Sequence, residues 1–170
     1  MTKPNIKSAN GNVLATGMLS GNEQEEKRAD LNDIFRNVLE NYTVDRGIIF
    51  RCDKLPIVKA DPEYFSCLFD ALVSMITAHP PVGSKLFLYV KCFPEKLDDD
   101  TIDLSKEGDE TLYRIEIYSN ITTDENWEML YKARLADCKL QAAKISGHFS
   151  FSPITNTGCL FSLTLRGKIS

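Results

Sequence analysis

The strongest constraint on this chain is an apolar helix that begins at Asp61-Pro62 and has to end before Pro80-Pro81. Aspartate is a favoured N-cap and proline is favoured at the first helical position, whereas a pair of prolines cannot continue a helix. Seven apolar residues follow at helical spacing: Phe65, Leu68, Phe69, Leu72, Val73, Met75 and Ile76. An apolar face this wide has to be covered by other elements, so we expect this helix at the centre of the core.

Two further helices are predicted from the same periodicity. Asp30 is a suitable N-cap for a helix whose apolar residues extend to Leu39. A third apolar stripe runs through residues 125–146 and ends at Gly147, a typical C-cap residue. The pattern of this third stretch fits either one helix or two helices broken near Ala133.

Six segments have the alternation or composition of strands: 48–52, 55–58, 85–92, 112–119, 148–152 and 159–165. The element order is then α-β-β-α-β-β-α-β-β. This order predicts an α/β two-layer sandwich, in which about three helices cover one face of a mixed, largely antiparallel sheet. The 170 residues suit one such domain at 30–170, preceded by a polar, flexible arm at 1–29.

An acidic segment at 95–110 separates two of the predicted strands. It contains eight acidic and two basic residues, which is typical of a solvated loop. Asp98, Asp99, Asp100 and Asp103 could in principle gather Ca²⁺, but a central glycine and a bidentate glutamate are missing from the expected positions. We therefore predict a loop without a metal site.

Charge and hydropathy exclude several classes of function. A net charge of -4 argues against a nucleic-acid binder or a protein held on an anionic membrane, since both need a basic face. No apolar run approaches the roughly 20 residues of a membrane span, and the N-terminal residues lack the apolar stretch of a signal peptide. We expect a cytoplasmic protein.

The five cysteines are scattered: Cys52, Cys67, Cys92, Cys138 and Cys159. Their number is odd, no Cys-x-x-Cys occurs, and neither histidine lies at zinc-ligand spacing from a cysteine pair. Four of them fall inside apolar runs. We predict reduced thiols that pack as small apolar groups, without a disulfide framework or a zinc site.

Several segments resemble the ATPase domain of sensor histidine kinases. Residues 30–41, 55–65 and 68–76 are similar to the opening of that domain, in which a helix leads through two strands to an aspartate-capped helix. Residues 144–150 and 157–165 are similar to its closing helix, glycine turn and hairpin. The resemblance covers residues 30–166 and implies the Bergerat-type ATPase fold.

The residues that bind nucleotide in that family are replaced here. The resemblance places the magnesium-binding asparagine at Met75 and an earlier family asparagine at Ala71, and neither residue can ligate a hard cation. Where the family has Asp-x-Gly-x-Gly, whose aspartate receives the adenine amino group, this chain has Ser119-Asn120-Ile121 followed by two threonines. Ser119 or Asn120 would at most replace that aspartate weakly. These five residues, 71, 75, 119, 120 and 121, are called the vestigial pocket below.

The family's second glycine-rich segment also has no counterpart. It would fall on residues 133–139, which contain no glycine, and the segment that forms the ATP lid is shortened. We therefore predict no catalytic residue and no bound ATP, Mg²⁺ or other cofactor, with Met75 filling the former pocket. The resemblance also offers no phosphorylatable histidine, because His79 and His148 lie at a helix end and in a strand.

Basic residues are concentrated near the C-terminus. Residues 132–170 contain six basic residues and one acidic residue. Such an asymmetry is typical of ordinary solvation, but it also suits a docking face for an acidic protein. The candidate docking residues are Lys132, Arg134, Lys139 and Lys144.

The leading functional hypothesis is a degenerate histidine-kinase-like ATPase domain that acts as a non-catalytic interaction or regulatory module in two-component-type signalling, bound to a protein partner. One alternative is a divergent ATP-binding domain that phosphorylates a histidine on a partner. A second alternative is a phosphotransfer scaffold, which would need a helical dimerisation hairpin. The sequence identifies neither the partner nor the oligomeric state.

Overall fold

The computed structural model describes residues 27–43, 47–95, 111–154 and 157–169. The predicted arm before residue 27, the acidic stretch 96–110 and part of the predicted turn at 156–158 lie outside these ranges. The elements in chain order are β1 (Arg28–Asp30), α1 (Leu31–Thr43), β2 (Ile49–Cys52), β3 (Ile57–Lys59), α2 (Pro62–Ala78), β4 (Phe87–Pro94), β5 (Thr111–Ser119), α3 (Glu125–Lys144), β6 (His148–Ile154) and β7 (Gly158–Gly167).

The predicted two-layer sandwich is confirmed. The main sheet has five strands in the order β2-β4-β5-β7-β6. Only β2 runs parallel to its neighbour β4, and the other three pairs are antiparallel. The helices pack side by side on one face, with α2 between α1 and α3. The edges are therefore the four-residue β2 and the strand β6, which contains Pro153.

Helix α2 forms as its sequence signals predict. The Asp61 carboxylate accepts a hydrogen bond from the Glu63 backbone N–H at 3.1 Å, and Pro62 is the first helical residue. All seven predicted apolar residues of this helix are buried. They meet the inner face of the sheet, where alternate residues such as Ile115 and Ile117 of β5 are also buried.

A small second sheet was not predicted. Arg28 and Ala29 fall in the expected N-terminal arm but belong to β1, which pairs antiparallel with β3, and Ala29 is fully buried. The predicted strand at 55–58 is shifted to Ile57–Lys59. The reason is that the Asn32 side chain both accepts from the Leu55 N–H at 2.8 Å and donates to the Leu55 carbonyl at 2.9 Å, replacing a strand neighbour there.

The third helical stretch is one continuous helix, α3. Asp124 caps it by accepting from the Trp127 N–H at 2.8 Å. At the C-terminal end Ser146, not the predicted Gly147, has the left-handed conformation, with a φ of 55°. The Ser146 N–H donates to the Ala143 carbonyl and the Gly147 N–H to the Ala142 carbonyl, which is the Schellman pattern. Within the described residues, no helix is long and apolar enough to cross a membrane.

Candidate functional site

The vestigial pocket lies where α2, the end of β5 and the start of α3 meet. Three of its residues are fully buried: Met75 on α2, Ser119 at the end of β5, and Ile121 just after it. Met75 and Ile121 belong to the continuous hydrophobic core. Ala71 is half-buried on α2. Apolar side chains therefore occupy this junction.

Asn120 has a structural role in this arrangement. Its Oδ1 accepts from the Phe87 backbone N–H at 2.8 Å, and its Nδ2 donates to the Lys85 carbonyl at 2.9 Å. The side chain thereby ties the end of β5 to the start of β4. Because its carbonyl oxygen and its amide nitrogen are each engaged by backbone, Asn120 serves to tie these two segments together.

Helix α3 follows β5 after a connection of only five residues, 120–124. It then packs antiparallel to α2. Tyr131 contacts His79 edge-on at 5.7 Å between ring centroids, and Arg134 donates to the Ser74 Oγ at 2.8 Å. The segment 133–139 lies in the middle of this helix, so the alternative with two helices meeting near Ala133 is wrong.

Trp127 fixes the first turns of α3 on the sheet. Its ring stacks on Phe151 of β6 at 5.2 Å and lies 4.7 Å from Tyr131. The side chain is almost completely buried. Helix α3 is thus anchored between α2 and β6.

Some buried polar atoms near this junction have no hydrogen-bond partner among the residues that the structure describes. They include the Ser119 Oγ, the Thr123 Oγ1 and the Trp127 Nε1. Buried polar groups are usually paired, so an unpaired buried atom is one feature of a possible binding site. Ser119 also stands where the resemblance places the adenine-binding aspartate.

Three cavities lie elsewhere on the described surface. The cavity of about 660 Å³ opens on the outer face of the sheet beside Tyr89 and Tyr118, and that of about 570 Å³ lies at the C-terminal end of α2. The third, of about 340 Å³, is lined by Tyr64, Lys144 and Arg166 among others. None of these three is lined by a residue of the vestigial pocket.

The candidate docking residues separate into different surroundings. Lys132 and Lys139 are exposed on the same side of α3, two helical turns apart. Arg134 is turned towards α2 by its bond to Ser74. The Lys144 ammonium lies over the Tyr64 ring, 5.4 Å from its centroid. The four residues therefore do not form one continuous basic face.

The sequence reasoning missed the exposed apolar residues of α3. Met129, Leu130 and Leu140 are exposed, although they lie in a helix with a well-packed inner side. Their signal was present in the sequence, because Met129, Ala133, Ala136 and Leu140 follow a spacing of four, three and four residues. That spacing defines a second helical stripe, opposite the one that includes Trp127 and Cys138.

The cysteines are all free, but they do not all pack as predicted. Cys138 and Cys159 are buried, whereas Cys52 and Cys67 are exposed and Cys92 is half-buried. Burial raises the pKa of the Cys159 thiol to about 12 and that of the Cys138 thiol to about 11. These two thiols stay protonated at neutral pH and act as core side chains. Within the described residues, no group of three or more histidine, cysteine or acidic residues is placed to hold a metal ion.

The charge around the N-terminus of α2 is compensated locally. Lys27 forms an ion pair with the N-cap residue Asp61. The hydrogen bond from Lys27, together with that from the Glu63 N–H, lowers the pKa of the Asp61 carboxyl. The cap therefore stays ionised and continues to accept from the helix terminus over the physiological pH range.

The fold was compared with known proteins. A structure of the mycobacterial sensor histidine kinase MprB superimposes with a TM-score of 0.64 at 13% identity, covering 85% of this chain and all of that one. The catalytic domain of the histidine kinase ThkA gives 0.57 at 14% identity, covering 84% and 95%. The ATP-binding domain of PrrB from Mycobacterium tuberculosis gives 0.58 at 14% identity, covering 84% and 98%.

The chain thus has the fold of the ATPase domain of sensor histidine kinases. Neither a protein-family model nor a curated protein matches the sequence. At this level of identity the likeness concerns the fold, and function has to be argued from the site itself.

Proposed function

We propose that this chain is a non-catalytic interaction module in two-component-type signalling, built on the histidine kinase ATPase fold. The observation that carries the proposal is the course of α3. The helix starts five residues after β5 and continues through 133–139, the segment to which the resemblance assigns the phosphate-binding glycines. A regular helix interior has no free backbone N–H groups to cradle phosphate.

The chemistry of the vestigial pocket supports the same proposal. A nucleoside triphosphate needs a metal, oriented amides or basic groups around its phosphates. Met75 offers a buried thioether where an oxygen ligand is required, and the Asn120 amide is held by the backbone of β4. Restoring one ligand would therefore not restore a site.

The test is calorimetric titration of the full chain with ATP, with and without Mg²⁺. We expect no binding in either condition, whereas the ATP-binding domain of an active histidine kinase, titrated in parallel, should bind. A micromolar complex of Mg·ATP with the unaltered protein would contradict the proposal.

The unpaired Ser119 hydroxyl favours the second candidate, a divergent ATP-binding domain that phosphorylates a histidine on a partner. A hydroxyl can accept one hydrogen bond from an adenine amino group. The same titration separates the two candidates. If binding occurs, replacing Ser119 by Ala should weaken it when this hydroxyl contacts the base.

Docking to an acidic protein partner is tested by charge reversal. Once a partner has been captured with the native chain, Lys139→Glu together with Lys144→Glu should slow association and flatten its dependence on salt, because exposed charges act mainly on the encounter rate. The fold should persist, since exposed charges contribute little to stability. Unchanged association kinetics would exclude Lys139 and Lys144 as docking residues.

A further inference from the structure

A cavity of about 340 Å³ lies at the N-terminal end of α2, about 20 Å along the helix from Met75. Three of its lining residues are basic, and they come from three different elements: Lys59 of β3, Lys144 of α3 and Arg166 of β7. A volume of this size lies near the lower end of the range for small-molecule sites. We call this site the basic cavity, and none of its described lining residues belongs to the vestigial pocket.

Two of the three basic residues lack a carboxylate partner. Within the ranges that the structure describes, neither Lys144 nor Arg166 takes part in an ion pair. The Lys144 ammonium lies over the ring of Tyr64, another lining residue, so a cation–π contact holds it at the cavity wall. Unpaired cations at one cavity repel each other, and an anion bound between them removes that repulsion.

The acidic residue of the lining, Asp61, is already engaged. It forms an ion pair with Lys27 and accepts from the Glu63 N–H, and these contacts lower the pKa of its carboxyl. Asp61 and, more weakly, Glu63 raise the pKa of Lys27, so both carboxylates lie close to that ammonium. Their charge is thus balanced by Lys27 rather than by Lys144 or Arg166.

Like charges also lie opposite each other at the border of the basic cavity. Arg28 of β1 is the register partner of Lys59, and like charges directly opposite on paired strands lower stability. The nearby Asp30 accepts at Oδ1 from the backbone and the side chain of Asn32. The lining and these neighbours hold five basic residues against three acidic ones: Lys27, Arg28, Lys59, Lys144 and Arg166 against Asp30, Asp61 and Glu63. This part of the surface therefore attracts anions, although the chain as a whole is acidic.

We propose that the basic cavity binds a phosphomonoester, with its phosphate at Lys144 and Arg166. A phosphate carries about two negative charges at neutral pH, which matches the two unpaired cations, whereas one carboxylate would compensate only one of them. The guanidinium of an arginine donates two parallel hydrogen bonds to phosphate oxygens, and the ammonium of a lysine adds a further donor. Three apolar lining residues provide contacts for the organic part of the ester: Val58, Ala60 and Ile145. The proposal is independent of whether nucleotide binds near Met75.

The first test is calorimetric titration of the full chain with phenyl phosphate. We expect saturable binding with a dissociation constant of roughly 1 mM or lower. Arg166→Gln and Lys144→Gln should each weaken it by about tenfold, because each removes a charge-assisted contact. Lys91→Gln on β4 is the matched control, since it removes the same charge outside the basic cavity, and it should leave binding unchanged.

All three substituted positions are exposed, so the variants should fold, which circular dichroism checks. Absence of saturable binding at roughly 20 mM phenyl phosphate would overturn the proposal. Binding that neither Arg166→Gln nor Lys144→Gln weakens would overturn it as well.

A second comparison tests the chemistry of the anion. Phenyl sulfate has the shape of phenyl phosphate but a smaller negative charge, so it should bind more weakly by about fivefold or more, and equal affinity would overturn the assignment of a phosphate. Glu23, Glu25 and Glu26 precede Lys27 in the sequence, and their carboxylates can only compete with an anion. Changing all three to glutamine should leave binding equal or make it tighter, and weaker binding would contradict the proposal.

The source of the phosphate is identified by two further ligands. A Gly-phosphoserine-Gly peptide represents a modified protein, and glycerol phosphate represents a small metabolite. Preference for the peptide by about tenfold supports a protein partner, and the reverse preference supports a metabolite. The same peptide with glutamate in place of phosphoserine should not bind, and equal binding would overturn the proposal. Nucleotide bound near Met75 would not respond to Arg166→Gln, so failure of this proposal and failure of the proposed function give different results.

Discussion

A single side chain closes the site where the resemblance implies a metal. Met75 is fully buried on α2, within the core rather than at its rim. A flexible thioether can fill irregular space between a helix and a sheet, which an amide can do only if its polar atoms find partners. The residue thus contributes packing where a polar ligand would need a solvated cleft.

We expect Met75→Asn to lower the free energy of unfolding by at least about 1–3 kcal/mol, because it buries an amide without partners. Met75→Leu is the matched control, and it should cost less than about 1.5 kcal/mol because it keeps volume and polarity. Urea denaturation of both variants measures the difference. An Asn variant as stable as the parent would mean that the position has access to water or to a polar partner.

At the C-terminus of α3, two adjacent residues differ in what the backbone requires of them. Ser146 has a φ of 55° and is exposed, whereas a Cβ on Gly147 would come within 2.9 Å of the Thr164 carbonyl oxygen. The glycine is required for close approach to β7, and the left-handed position is held by a residue that is not suited to it.

We therefore expect opposite effects from two small substitutions. Ser146→Gly should raise the free energy of unfolding by about 0.5–1 kcal/mol, because glycine adopts the left-handed conformation without strain. Gly147→Ala should lower it by about 1–3 kcal/mol, because backbone has to move. Thermal and urea unfolding would show both signs. Changes of the same sign in the free energy of unfolding would contradict the assignment of Ser146, rather than Gly147, to the left-handed position of the C-cap.

At the scale of elements, the sequence predicted what local signals determine. Helix α2 was predictable because its cap, its first proline, its apolar spacing and its terminating prolines all lie within the segment itself. Strand β1 could not be predicted from the sequence, because its three residues form a strand only when β3 lies beside them. The continuity of α3 was ambiguous for a related reason: Ala133 and Ala136 in its middle lie on the exposed side, so the periodicity of the inner stripe alone did not exclude a break.

The candidate site was predictable only as a set of positions. Of the positions that the resemblance assigns, Met75, Ser119 and Ile121 are buried, and the burial of Met75 agrees with its predicted packing role. The role of Asn120 was not foreseeable, because its partners Lys85 and Phe87 lie far away in sequence. The exposed apolar side of α3 was not predicted, because the inner stripe by itself accounts for the helical periodicity of the segment.

At the scale of the whole molecule, the buried thiols couple stability to alkaline pH. Burial raises the pKa of Cys159 from its ordinary value of 9.0 to about 12. The folded state therefore keeps a proton that the unfolded state loses. The stability that this thiol contributes is fully present below about pH 9 and is lost as the pH rises towards 12.

We expect Cys159→Ala to reduce the steepness with which the free energy of unfolding falls above pH 9, by up to about 1.4 kcal/mol per pH unit. Cys159→Val should change the steepness equally, although the two variants differ in packing at neutral pH. Urea unfolding at several alkaline pH values measures the slopes. If the free energy of unfolding of the variants fell with pH as steeply as that of the parent, the Cys159 thiol would have the same pKa in the folded and the unfolded state.

The two borders of the main sheet have a consequence for solubility. An open border offers unpaired backbone groups to any extended chain that meets it, which is the usual start of strand-by-strand aggregation. One border here is the four-residue β2, too short to be a good template, and the other is β6, interrupted by Pro153, which has no N–H to give. Growth by adding strands is therefore disfavoured on both sides, and the sheet itself offers little template for aggregation.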